Sequence, residues 1–117
     1  MKQNIILEKS FDFALKIIEL YKILSYDKKE YVISKQLLRS GTSIGANIRE
    51  ANVSQSKKEF IAKMNISLKE AHETEYWLEL LTRSGFISKS ESLQKEINEL
   101  ISILTSIIKT ANVNLCW

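Results

Sequence analysis

The sequence predicts an all-α protein, an antiparallel up-down-up-down bundle of four helices that forms one domain over residues 1–117. The chain has no proline and only three glycines, which suits long helices with short connections. Its apolar residues, 44% of the chain, recur at intervals of three and four in four blocks, the period of an amphipathic helix. We therefore expect helices at about residues 5–24, 30–52, 56–84 and 89–112.

The first helix carries apolar residues on more than one face. One set with a spacing of three and four is predicted to face the core: Leu7, Phe11, Ala14, Ile18 and Tyr21, widened by Ile17 and Leu24. Phe13 and Leu20 remain on other faces, which indicates a second buried surface, as in an oligomer. The polar link at residues 25–29 is short enough to make the second helix antiparallel to the first.

The second helix contains an unusual stretch, residues 37–50, in which five residues disfavour helix: Ser40, Gly41, Thr42, Ser43 and Gly45. By propensity this stretch is a flexible loop between two shorter helices. By periodicity it is one helix, since an unbroken seam runs through Leu37, Gly41, Ile44, Ile48 and Ala51. We predict the continuous helix, because a loop would not keep Ile44 and Ile48 in phase with Leu37. Its small residues would let another backbone come close.

The third helix is predicted to be the partner of this thin segment. Its seam repeats the same spacing through Phe60, Met64, Ser67, Ala71, Thr74, Leu78 and Leu81. Antiparallel pairing would place Ala71 beside Gly41 and Ser67 beside Ile44. Gly41, Gly45 and Ala71 are accordingly the expected close-packing positions.

Local signals mark the ends of the third and fourth helices. Ser56 with Glu59, and Ser88 with Glu91, have the spacing of a capping box. Gly85 supplies a left-handed residue after the third helix, so that Phe86 can fold back on Leu80 or Leu81. The fourth helix has a wide apolar face, which favours self-association: Leu93, Ile97, Leu100, Leu104, Ile107 and Ala111, flanked by Ile101, Ile103 and Ile108.

The sequence offers no sign of a membrane or secretory protein. It has no apolar run of eighteen residues, and its charged N-terminus is too short for a signal peptide. We expect a cytoplasmic protein without a membrane partner, in which the lone Cys116 forms no internal disulfide.

Positive charge is concentrated in the middle of the chain. Residues 28–63 hold eight basic and three acidic residues, whereas the remainder has more acidic than basic residues. The basic residues are the candidates for binding nucleic acid: Lys28, Lys29, Lys35, Arg39, Arg49, Lys57, Lys58 and Lys63. Lys35, Arg39 and Arg49 are predicted to share one stripe opposite the core seam. The alternative is a solvated face partly paired with carboxylates of the third helix.

Catalytic chemistry has one candidate location, the third helix with its four glutamates and His72. A di-metal bundle needs two Glu-x-x-His units, and Lys69 stands where the glutamate should precede the single histidine. No phosphate loop, HExxH or cysteine-pair pattern occurs. We assign no catalytic, cofactor or metal residue and predict a buried polar cluster that fixes helix register: Ser43, Asn47, Glu50 and Glu75.

Two patterns give the chain a family resemblance. The first pattern, R-x-x-x-S-I-x-x-N-I-x-E, is matched by Arg39, Ser43, Ile44, Asn47, Ile48 and Glu50. The second, E-x-x-E/x-x-Y-W-L, is matched by Glu70, Glu73, Tyr76, Trp77 and Leu78. Over nearly its whole length the chain resembles the 23S rRNA intervening-sequence proteins, also called S23 ribosomal proteins. The resemblance implies a bacterial four-helix bundle that assembles into a homopentamer, with genes often found inside intervening sequences of large-subunit rRNA.

The resemblance extends to the accessory protein of diversity-generating retroelements, a pentameric bundle whose basic surface binds nucleic acid and a reverse transcriptase. It implies a non-catalytic oligomer that contacts the phosphates of RNA or DNA, without base readout. The alternative is a structural adaptor that binds a protein partner and no nucleic acid.

Overall fold

The structure, a computed structural model, describes residues 2–88 and 91–113 and contains four long helices. They are α1 (Lys2–Lys22), α2 (Ile33–Asn52), α3 (Lys57–Arg83) and α4 (Glu91–Val113), and α1 continues into a π-helical turn at Ile23–Asp27. Each helix packs against the next, and α4 closes the ring against α1. The bundle is about 50 Å long and 20 Å wide. This confirms the all-α prediction and its four helices.

α2 is continuous through the segment rich in glycine and serine, as the periodicity predicted. Its hydroxyl groups hydrogen-bond back to carbonyls of the preceding turn: Thr42 Oγ1 donates to Leu38 O at 2.7 Å and Ser43 Oγ to Arg39 O at 2.6 Å. These bonds satisfy the side chains without releasing the backbone from the helix.

The burial predicted for the α2 and α3 seams is confirmed. All five predicted α2 positions and all seven predicted α3 positions are buried. Ser67 Oγ donates to the carbonyl of Ile44 at 2.8 Å, and the hydroxyls of Thr74 and Ser40 are hydrogen-bonded at 2.8 Å. Since buried hydroxyls need partners, these bonds specify the register of the two helices.

The glycines, however, approach α1 rather than α3, which corrects the predicted partner. A Cβ added to Gly41 would lie 2.9 Å from Cγ2 of Ile17, and one added to Gly45 would lie 3.3 Å from Oγ of Ser10. Small residues therefore let both neighbours approach α2 closely, with the two glycines on the side facing α1 and Ser40 on the side facing α3. Ala71 is fully buried, as predicted.

The predicted seam of α1 is wrong at Leu7, Phe11, Ala14, Ile18 and Tyr21, none of which is fully buried, whereas Ile17 and Leu24 are buried as predicted. The buried residues are Ile6, Ser10, Phe13, Ile17 and Leu24, whereas Phe11 is 52% exposed. Both apolar sets on α1 have helical spacing, so periodicity cannot choose between them. Packing against α2 makes the choice, because only the face with Ser10 and Ile17 fits against Gly45 and Gly41.

The predicted helix ends are confirmed for α3. Ser56 is extended at the N-cap and its Oγ accepts from Glu59 N at 3.1 Å, while Gly85 has a φ of +87°. Phe86 N donates to Leu81 O at 3.0 Å as the chain folds back. The Glu91 side chain, which would complete the second predicted capping box, and Cys116 lie outside the described residues.

The α4 seam is buried from Ile97 to Ala111, with Leu93 only partly buried. None of the helices in residues 2–88 and 91–113 combines the length and apolar character needed to cross a bilayer.

Gly41→Ala is expected to destabilise the protein although alanine is the better helix former. Overpacking a rigid core costs about 1–3 kcal/mol, and over most of that range the cost is larger than the about 1 kcal/mol that alanine gains over glycine in a helix interior. The free energy of unfolding should therefore fall in urea titrations at one fixed protein concentration.

Gly45→Ala is the matched control. Its Cβ would meet the small Ser10 side chain at 3.3 Å rather than the buried branched Ile17 at 2.9 Å, so its effect should be smaller. A Gly41→Ala variant as stable as the parent would contradict the close approach of α1.

Candidate functional site

The eight candidate basic residues do not form one surface. Lys28, Lys29 and Lys35 lie where α1 passes to α2, and Lys57 and Lys58 lie where α2 passes to α3. The 20 residues of α2 separate these ends by about 30 Å. The eight candidates are thus spread over both ends of the bundle and along α2 and α3 between them.

Arg39, between the two ends, belongs to a polar network that ties α2 to α3. Its guanidinium forms ion pairs with Glu70 (Nη1 to Oε2, 2.8 Å) and with Glu73. The indole of Trp77 donates to Glu73 Oε2 at 3.0 Å, and Tyr76 packs edge-on against the indole with ring centroids 5.1 Å apart. The Trp77 hydrogen bond and the Arg39 guanidinium hold the pKa of Glu73 below its usual value, against the effect of partial burial.

The two sequence patterns that carry the family resemblance meet in this network. Arg39 comes from the first, and Glu70, Glu73 and Trp77 come from the second. These residues therefore connect α2 to α3, and two carboxylates pair with the charge of Arg39. For Arg39 this agrees with the alternative interpretation of the basic residues, in which they form a solvated face partly paired with carboxylates of α3.

Arg49 and Lys63 also have neighbours, and these lie on different sides of α2. The Arg49 guanidinium is 5.8 Å from the ring centroid of Phe11 on α1, within the range of a cation–π contact. Lys63 Nζ lies 2.7 Å from Glu50 Oε1, across the α2–α3 pair. Arg39 and Arg49 are therefore turned toward α3 and α1 respectively.

Apart from Arg49, whose described neighbour is the Phe11 ring, four candidates form no ion pair with an acidic side chain in the part of the chain that the structure describes. They are exposed and lie at the two ends: Lys28, Lys29, Lys35 and Lys58. Lys57 is partly buried.

The predicted polar cluster does not form. Ser43 and Asn47 bond to carbonyls of their own helix, with Asn47 Nδ2 2.9 Å from Ser43 O, while Glu50 is exposed beside Lys63. Glu75 lies toward the other end of α3, 3.9 Å from His72. Long polar side chains at the edge of a seam can turn to solvent, and the short hydroxyls of Ser40, Ser67 and Thr74 occupy the buried positions instead.

The carboxylates of α3 are not arranged as a metal site. His72 is exposed, and Glu70 and Glu73 are engaged by Arg39. No group of three His, Cys, Asp or Glu side chains within the described ranges could hold a metal ion.

An apolar groove between α1 and α2 is the feature that sequence reasoning missed. It has a volume of about 520 Å³ and is lined mainly by apolar side chains, with Arg49 and Glu50 at its edge: Leu7, Phe11, Ala14, Leu15, Ile18, Thr42, Gly45 and Ala46. Phe11 and Leu15 are half exposed. The signal was present as the second apolar face of α1, but the seam through Leu7, Phe11, Ala14 and Ile18, which lines the groove, was predicted to face the core.

The fold is similar to a known crystal structure. The chain matches a protein of unknown function from the S23 ribosomal protein family of Bacteroides thetaiotaomicron, with 56% sequence identity and a TM-score of 0.92. The match covers 94% of this chain and 100% of that chain. No curated protein matches the chain.

A family model also matches almost the whole sequence. The model for the 23S rRNA-intervening sequence protein aligns with residues 2–106, which include all of α1, α2 and α3 and most of α4. The chain therefore belongs to the 23S rRNA-intervening sequence protein family.

Proposed function

We propose that this protein is a non-catalytic homo-oligomer that binds the phosphate backbone of nucleic acid through lysines at the ends of its bundle. The observation that carries the proposal is the placement of the cations. Lys9, Lys16, Arg39 and Lys63 are paired with carboxylates along the sides of the bundle, whereas Lys28, Lys29, Lys35 and Lys58 remain exposed without a described ion pair at the ends.

Unpaired surface lysines are suited to phosphate contact. Neutralising a phosphate releases a condensed counterion, and this gain needs no base-specific geometry. A lysine held by a glutamate must first break that pair, so Lys9, Lys16 and Lys63 contribute less. The net charge of +3 per chain favours a polyanion as partner, and assembly would multiply that charge.

The apolar groove between α1 and α2 supports the oligomeric part of the proposal. Exposed apolar patches on a bundle commonly mark contact surfaces, and the groove surrounds Phe11, the kind of aromatic anchor that is enriched at interfaces. The resemblance implies that the assembly is a pentamer. A second candidate function, a protein adaptor, would use the same groove for another polypeptide.

Removing the four unpaired lysines should weaken nucleic-acid binding and flatten its salt dependence. In the variant Lys28→Gln, Lys29→Gln, Lys35→Gln and Lys58→Gln, the slope of log affinity against log salt for a single-stranded RNA should fall by up to about three. Fluorescence anisotropy at several salt concentrations measures both quantities.

The matched control removes the same charge from four paired cations: Lys9→Gln, Lys16→Gln, Arg39→Gln and Lys63→Gln. Its slope should change less. Equal changes in both variants would contradict the assignment to the bundle ends. Absence of binding by the parent protein would contradict nucleic-acid binding altogether.

Phe11→Asp should dissociate the oligomer, because it removes the apolar ring from the contact and introduces a carboxylate that is costly to desolvate even with Arg49 nearby. Light scattering after size exclusion should show a parent mass of several chains, five on the family expectation, and a monomer for the variant. Tyr76→Asp is the control, since Tyr76 is exposed on α3, the helix diagonal to α1. A monomeric parent would contradict the oligomer and favour the adaptor.

A further inference from the structure

The connection between α1 and α2 exposes an unusual group of large side chains. Of the eleven large apolar side chains that are exposed in the described residues, four lie within ten consecutive positions there: Ile23, Tyr26, Tyr31 and Val32. Tyr26 is 67% exposed and Tyr31 is 52% exposed. We call residues 22–35 the tip.

The tip is an ordered connection that is held by hydrogen bonds. The Glu30 carboxylate accepts hydrogen bonds from the amides of Val32, Ile33 and Ser34 at 2.6–3.2 Å, so it caps the first turn of α2. Glu30 N donates to Leu24 O at 2.9 Å, which closes the connection onto the end of α1. A tyrosine presented on an ordered backbone loses less conformational entropy when it contacts a ligand than one on a mobile loop.

The charges of the tip are suited to an anionic ligand. Four lysines lie within the same fourteen residues: Lys22, Lys28, Lys29 and Lys35. Of the two carboxylates, Glu30 is directed into the N-terminus of α2, where the amides offset its charge and lower its pKa despite desolvation. Asp27 alone remains as an uncompensated exposed acid among the described tip residues.

Tyr76 shows that exposure of a tyrosine is not sufficient. It is 59% exposed, but Glu73, Glu75 and Glu79 lie beside it on α3. Glu73 is paired with Arg39 and Glu79 with Arg83, and no lysine stands one turn from Tyr76 on α3 to contact a phosphate. Only at the tip do exposed tyrosines coincide with unpaired lysines.

We propose that the tip binds single-stranded nucleic acid, with bases stacked on Tyr26 and Tyr31 and the flanking phosphates contacted by Lys28 and Lys29. This inference rests on the proposed function and names its site and the form of its ligand. Bases in a duplex already stack on one another, so a convex tip with exposed rings can reach only unpaired bases. The stacking requires no particular base, and ribose and deoxyribose strands present the same ring faces and phosphates.

The experiment compares single-stranded RNA, single-stranded DNA and duplex RNA of equal length, each carrying 2-aminopurine, which loses fluorescence when it stacks. The intact protein should bind both single strands more tightly than the duplex and quench their fluorescence. Tyr26→Leu with Tyr31→Leu should lower single-strand affinity about tenfold or more, remove the quenching, and leave the salt slope nearly unchanged.

Tyr76→Leu is the matched control and should behave as the parent. Both leucine variants replace exposed rings, and the urea midpoint of each checks that the fold is intact. Quenching of 2-aminopurine in RNA but not in DNA would support binding at the tip with a preference for ribose. Equal quenching in both would support a site that contacts only the ring faces and phosphates that the two strands share.

Two outcomes separate failure of the inference from failure of the proposed function. If the parent binds strands and duplex equally and the tip variant is unchanged, the tip inference is overturned and phosphate binding stands. If the parent binds no oligonucleotide, both are overturned. Capture of anionic phosphatidylserine vesicles without any oligonucleotide binding would likewise overturn both and identify the tip as a lipid contact.

Discussion

The bundle depends on how closely α2 approaches its two neighbours. On one side Gly41 and Gly45 leave room for Ile17 and Ser10 of α1. On the other side Ser40 meets Thr74, and the Ile44 carbonyl accepts from Ser67. Glycine gives close packing without a polar requirement, whereas the buried hydroxyls demand partners and thereby specify register. One helix thus uses two kinds of small residue for two different tasks.

The exposed features of the molecule follow from this packing. Because α2 selects the face of α1 that carries Ser10 and Ile17, the face with Phe11 and Leu15 is left outside and forms the apolar groove. Because the outer side of α2 lies between α1 and α3, Arg39 reaches the carboxylates of α3 and Arg49 reaches the ring of Phe11. Lys28, Lys29, Lys35 and Lys58, which have no described ion pair, lie at the ends of the bundle.

The sequence was sufficient wherever a single pattern had one structural solution. α3 has one unbroken seam of apolar and small residues, and all seven predicted positions are buried. Ser56 and Gly85 act through local backbone geometry, which a short stretch of sequence determines. α1 was different, since it carries two apolar faces and the choice between them is made by a helix more than twenty residues away.

The candidate site was predictable in composition but not in arrangement. The excess of lysine and arginine in residues 28–63 is plain from the sequence. A helical wheel places Arg39 and Arg49 on one arc, but long side chains at its edges reach neighbours on opposite sides. The sequence does not single out Tyr26 and Tyr31, because only the structure shows that they are exposed on an ordered connection.

Native-state hydrogen exchange of the α2 amides tests the close-packed, continuous α2 most directly. The amides of residues 41–45 should exchange as slowly as those of the α3 seam, with opening free energies near that of global unfolding. Exchange of these amides at rates typical of a loop, while Leu37 and Ile48 stay protected, would show a broken α2 and contradict the account.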